Sequence, residues 1–177
     1  MTNRKLSIEF FGQFELREEY QAIFWYVFLV DKISPGLEMS VNDLIHSEEF
    51  TQYCFPFKVK KSWGERNQFL KRAFDLNKLD VSNFKMFNKE ELLQFFDIYA
   101  ASDTWKDDKE KFASLMYEFK EMFKNETANQ FFLIGKEWFD KDSALLSEDS
   151  EFFIYYFILI WFDTEKGMLN VCEWAYD

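Results

Sequence analysis

Histidine occurs once in this 177-residue chain, as His46, and cysteine twice, as Cys54 and Cys172. A two-histidine zinc site is therefore excluded, and the two cysteines lie too far apart to form a CxxC pair. Any Ser-His-Asp or Cys-His arrangement would have to recruit His46. That residue stands beside Glu48 and Glu49 on an expected helix and reads as a surface side chain. Both cysteines read as small buried hydrophobes. The five glycines (Gly12, Gly36, Gly64, Gly135 and Gly167) are isolated, so neither a phosphate-binding loop nor a dinucleotide fingerprint is present. Only two prolines occur, and with glycine equally scarce the chain does not look disordered or of low complexity. The longest apolar run, Phe152 to Phe162, is eleven residues, whereas a membrane helix needs about 20. The start, Met1-Thr2-Asn3-Arg4-Lys5-Leu6, carries no apolar signal-peptide core. A cytoplasmic location, reduced thiols and no membrane partner are expected. No metal site or cofactor is expected, and the chain is not expected to be an enzyme.

Aromatic residues and acids are abundant. Phe, Trp and Tyr make up 21% of the chain, Phe alone occurring 24 times. Each buried ring removes about 150–250 Å² from water, so the core can be large and rings can be left over for a surface. The net charge is −11 and unevenly spread. Residues 137–177 hold ten carboxylates against Lys141 and Lys166, so most of the surplus lies in under a quarter of the chain. The segment from Lys58 to Arg72 goes the other way, with Lys58, Lys60, Lys61, Arg66, Lys71 and Arg72 against Glu65. One reading is a solvated face that pairs with the acidic tail of the same molecule. The other is a nucleic-acid patch with Trp63 and Phe69 for stacking. The negative field of the whole chain opposes a polyanion, so no nucleic-acid partner is expected.

Hydrophobic spacing outlines the elements. In residues 6–16, Leu6, Ile8, Phe10, Phe14 and Leu16 fall in step, as in a strand. Residues 21–30 are almost wholly apolar; β-branched and aromatic content favours a buried strand, though periodicity alone leaves a buried helix open. Pro35-Gly36 marks a turn. Ser40 with Asp43 can cap a helix to about Tyr53, with Val41, Leu44 and Ile45 inward, and Phe55-Pro56 breaks the chain. Ser62 with Glu65 fits a capping box, followed by Phe69, Leu70, Ala73 and Phe74 at helical spacing. Asn88 with Glu91 has the same logic before Leu92, Phe95, Phe96 and Tyr99. Asp107 with Glu110 precedes an amphipathic stretch in which Phe112, Leu115, Met116, Phe119 and Phe123 recur at steps of three and four. Residues 130–134 are a strand candidate. Residues 151–163 and 168–176 form an expected terminal hairpin around Thr164-Glu165-Lys166-Gly167. On its second strand Asn170, Cys172, Trp174 and Tyr176 share one face, Leu169 and Val171 the other. Helices grouped in the middle and a mainly antiparallel sheet toward the ends predict one α+β domain over residues 1–177.

The candidate site is a set of acids interleaved with rings: Glu137, Trp138, Asp140, Asp142, Glu148, Asp149, Glu151, Asp163, Glu165 and Glu173. Rings anchor interfaces and carboxylates steer a basic partner. The run Asp140, Asp142, Glu148, Asp149, Glu151 is not a calcium loop, because the sixth-position glycine is missing and Leu145-Leu146 interrupt the ligands. A glycosidase-like carboxylate pair needs only two acids, so any acidic chain contains candidates. Size, acidity, aromatic richness and the lack of catalytic motifs together resemble bacterial immunity proteins, the cognate inhibitors of polymorphic or contact-dependent growth-inhibition toxins. The resemblance is one of overall character across the chain. It implies tight binding to a basic, nuclease-type toxin domain whose active or substrate-binding site is occluded, the acids of residues 137–177 meeting the toxin's Lys and Arg. The alternatives are an intracellular adaptor or structural subunit, marked by an exposed apolar patch, a DNA-mimic inhibitor, marked by an extended acidic stripe, and an enzyme with carboxylates converging in a deep cleft.

Overall fold

In a computed structural model, residues 7–18, 21–31, 36–52, 72–102 and 108–176 are described. Among these residues six strands form one sheet: β1 (Ile8–Glu18), β2 (Gln21–Val30), β3 (Lys85–Phe87), β4 (Phe131–Gly135), β5 (Tyr155–Asp163) and β6 (Met168–Tyr176). Their order is β1-β2-β6-β5-β4-β3, and every neighbouring pair is antiparallel. Among the described residues four α-helices accompany them: α1 (Leu37–Ile45), α2 (Glu48–Gln52), α3 (Lys89–Ala101) and α4 (Lys109–Phe123). The architecture is α+β, with the C-terminal hairpin at the centre of the sheet. Among the described residues no helix is long and apolar enough to cross a membrane.

The sheet is covered on both sides, which explains the uninterrupted apolar runs. On one face β2, β5 and β6 meet α3 and α4, with Phe96, Phe112, Phe119 and Phe123 packed on Trp161 and Trp174. Phe96 stacks on Trp174 at 4.3 Å between ring centres, and Trp25 meets Trp161 edge-on at 5.0 Å. On the other face lie Val41, Leu44, Ile45 and Phe50 of α1 and α2, with Phe74, Leu79, Phe84 and Phe153 from the connections. A strand between two such layers needs apolar side chains at both parities, so residues 21–30 form a strand without alternation.

β1 does alternate, but not in one phase. Phe10 stands opposite Phe28 and Gly12 opposite Val27, so Phe11 is an extra residue. This bulge swaps the parity of the strand. Ile8 and Phe10 therefore pack with the α1–α2 core, Leu16 joins the α3–α4 core, and Phe14 meets Trp25, which belongs to that second core. Of the five apolar residues expected on a single face, Leu6 lies outside the described residues and the other four are divided between two faces.

The helices follow their local signals in α3 and on the buried face of α4, and depart from them elsewhere. α3 has the expected capping box, Asn88 accepting from the Glu91 amide and Glu91 accepting from the Asn88 amide, both at 2.9 Å. α4 buries Phe112, Leu115, Met116, Phe119 and Phe123 as its spacing demands. Its N-cap is Asp108, whose side chain makes no capping bond; the Asp107 of the sequence pattern lies outside the described residues. The helix expected from Ser40 starts earlier, at Leu37, and Ser40 is buried with its hydroxyl on Gly36 O. It also breaks at His46–Ser47, where Ser47 Oγ accepts from the Phe50 amide at 3.0 Å and starts α2. Ala73 and Phe74 are not helical: Phe74 bridges to Leu146 in extended conformation. The Ser62–Glu65 box, the Phe55-Pro56 break, Pro35, Trp63, Phe69 and the basic segment up to Lys71 lie outside the described residues.

The β5–β6 turn carries Gly167 at φ 64°, a conformation L side chains rarely adopt, and places Asp163 opposite Met168. Asn170, Cys172, Trp174 and Tyr176 then face the α3–α4 side, while Leu169, Val171 and Ala175 face the other. Gly135 at the end of β4 has a different reason: a Cβ there would lie 2.6 Å from the Phe157 ring.

Candidate functional site

Strand register decides where the acids of residues 137–173 go. Gly135 pairs with Phe157 and Tyr155 with Tyr176, so the 136–154 connection leaves from one end of the sheet. The 164–167 turn lies at the other end of the nine-residue strand β5. At a strand rise of about 3.3 Å per residue, the two ends are roughly 27 Å apart. Glu137, Asp140, Asp142, Glu148 and Glu151 are exposed at the first end, with Lys141 the only exposed base of that connection. They form an acidic ledge. Glu165 is exposed at the far end. Trp138 is half-buried on the ledge, with Lys85 Nζ 3.9 Å from its ring centre and Phe95 edge-on at 5.9 Å.

Three of the ten candidate residues lie inside the fold. Glu173, on the central strand β6, is 2% exposed. It accepts both Nε and Nη2 of Arg72, with Nε 3.0 Å from each carboxylate oxygen, and the hydroxyl of Tyr156. Arg72 Nη1 donates to Phe50 O at 3.1 Å, and its guanidinium lies 3.8 Å from the Phe50 ring centre. The one described member of the basic segment thus pairs with the acidic tail of its own chain. Asp163 is equally buried and accepts from the Lys166 amide at 3.0 Å and from its ammonium group. Asp149 is buried as well, its amide donating to Ser147 Oγ at 3.2 Å. The carboxylates of Glu173 and Asp163 hold strand and turn together inside the fold, and with Asp149 buried too none of the three presents itself to a partner.

Glu137 is exposed as a residue, yet its carboxyl lies beside the packed end of α3, where Tyr99 Oη donates to it at 3.3 Å. Desolvation there pushes its pKa up to about 7, against the lowering effect of its hydrogen bonds and of Lys136. The Tyr99 hydroxyl is in turn pushed well above its ordinary range, first by burial and then by Glu137.

At the opposite end, on the α3–α4 side, the structure shows a feature the sequence reading passed over. A groove of about 370 Å³ opens between β1 and the C-terminal turn of α4. Its walls are Phe11, Phe14 and Met122, exposed by 61%, 53% and 39% respectively. Its floor is Trp25, held by a 2.9 Å bond from its Nε1 to Asn170 Oδ1 and by contacts with Trp161 and Phe119. Asp163, Lys166 and Glu126 close its end. The signals were present: three phenylalanines of both parities in β1, and a methionine beside Glu121 on the polar side of an amphipathic helix.

No family model matches the chain, and neither a curated protein nor a solved structure matches it.

Proposed function

We propose that the chain is an intracellular acidic binding protein of the immunity type, which captures a basic, nuclease-type toxin domain and occludes its active or substrate-binding site. The observation that carries this reading is the acidic ledge: the exposed acids Asp140, Asp142, Glu148 and Glu151, with Lys141 as the only exposed base of the 136–154 connection. A field of that sign draws a polycation in and raises encounter rates toward about 10⁸–10⁹ M⁻¹s⁻¹ at low salt. The surface offers rings as well as charge, and interfaces draw most of their energy from such anchors.

A second reading, an adaptor subunit, draws on the exposed apolar walls of the groove. The DNA-mimic alternative asks for one extended acidic stripe, and it is weakened by the division of the tail's carboxylates between the two ends of the sheet. Co-expression with basic nuclease toxin domains separates the remaining readings. An immunity protein restores growth against one such domain and co-purifies with it at low salt, the complex weakening as salt rises. If no basic domain is rescued or retained while the chain co-purifies in constant ratio with a non-toxic subunit of its own cell, the adaptor reading stands instead.

A further inference from the structure

We propose that the groove between β1 and α4, rather than the acidic ledge, is where the partner docks, and that its occupant is a basic segment of the partner that places an apolar side chain on Trp25 between Phe14 and Met122. The inference rests on the reading of the chain as a binder of basic proteins and locates its contact surface.

The groove has the make-up of an interface anchor. Its volume of about 370 Å³ stands at the small end of ligand sites, which run from about 300 to 1,000 Å³. That suits protruding side chains better than a bulky cofactor. Phe11, Phe14 and Met122 expose apolar area around one floor, a mark of an interaction site. The floor is fixed in advance by Asn170, Trp161 and Phe119, so little ordering is needed on binding.

Charge selects the occupant. In the part of α4 that flanks the groove, the described cations already have acids of their own: Lys124 lies 3.9 Å from Glu121, and Lys120 is bound to Asp97. Lys166, at the end of the groove, is bound to Asp163 and also lies in the field of Glu126 and Glu165. Its pKa is raised first by the Asp163 bond and then by these charges. Asp163 is taken up by Lys166, and Lys89, whose ammonium donates to Glu126 O at 2.7 Å, stands against the two remaining acids, Glu126 and Glu165, so that end keeps a net negative charge. A second copy of this chain would bring carboxylates against carboxylates, whereas lysine or arginine flanking an apolar anchor would meet them.

The test uses the full chain and two fluorescein-labelled peptides, one of alternating lysine and leucine and one of alternating glutamate and leucine. Binding is followed by fluorescence anisotropy and by amide shifts of the ¹⁵N-labelled protein. The lysine peptide binds, the glutamate peptide binds at least about tenfold more weakly, and shifts concentrate on β1, the end of α4 and residues 163–170. Phe14→Ser and Met122→Ser, both at exposed positions, each weaken the lysine peptide by about tenfold or more. Equal binding by wild type and both variants, or shifts confined to residues 137–151, overturns the proposal. So does a dimer in sedimentation equilibrium that Phe14→Ser dissolves. With a toxin domain identified by rescue, the two failures separate. Undiminished rescue by both groove variants removes the docking site and leaves the function standing, while absence of any rescue by the wild type removes the function itself.

Discussion

At the Arg72–Glu173 pair two opposite charges meet inside the protein, on the face of a central strand. Separating such a pair costs more than it is worth intact, because the remaining charge stays buried without its counter-ion. Glu173→Gln should lower unfolding stability by about 3–5 kcal/mol in guanidinium titrations. The double replacement Arg72→Met with Glu173→Leu should recover most of that, and a single replacement costing under about 1 kcal/mol would show that the site is wet. Glu137 presents the opposite case. Its folded pKa of about 7 lies above the ordinary glutamate value of 4.5, so the folded state holds this proton more tightly than the unfolded chain. The stability it contributes is present below pH 4.5 and is lost as pH rises through 7. Glu137→Gln should therefore stabilise the protein at pH 8 and change little at pH 4.5. Because the residue is exposed, solvent screening keeps the gain to about 1 kcal/mol or less. Thermal melts of the variant and wild type at the two pH values check the crossover.

Among the elements, α3 and α4 were the most legible, because an amphipathic stripe and a cap are local properties. Asn88 and Glu91 cap each other as their spacing indicated, and Asn88→Ala should cost about 1 kcal/mol in denaturant unfolding, with Asn88→Ser close to neutral. The hairpin of β5 and β6 was legible from its turn, and the faces of Asn170 and Leu169 from simple parity. Elements were misjudged where two local signals competed. Ser40 has the chemistry of a cap, but Gly36 precedes the helix and Ser40 is drawn into the core. Ser47, followed by Glu48 and Glu49, was the real start signal of a second helix. Ala73 and Phe74 show helical spacing yet pair in extended conformation with the 143–147 region, a contact some seventy residues distant that no local pattern records. The parity of β1 failed for the same kind of reason, since a bulge is visible only against the partner strand.

For the whole molecule, composition announced the negative charge but not its distribution. Strand register sends one part of the tail's acids to the ledge, leaves Glu165 at the far end, and takes Asp149, Asp163 and Glu173 inside. Steering and anchoring are thereby separated in space, and kinetics can tell them apart. Neutralising Asp140, Asp142, Glu148 and Glu151 together should slow association with a basic partner about tenfold at low salt and flatten its salt dependence, with dissociation nearly unchanged. Stopped-flow measurements across an ionic-strength series read both rates. An association rate that ignores salt in the wild type would remove the steering role.

The extra residue at Phe11 gives β1 a sensitivity that substitutions would not reveal. Any ring or aliphatic chain can replace Phe14 or Leu16 and keep its side of the sheet. Losing one residue before them would turn both to the opposite side while Ile8 and Phe10 stayed in place. For the packing of this strand length matters more than identity, and lineages of the protein should conserve its count even where its apolar letters change.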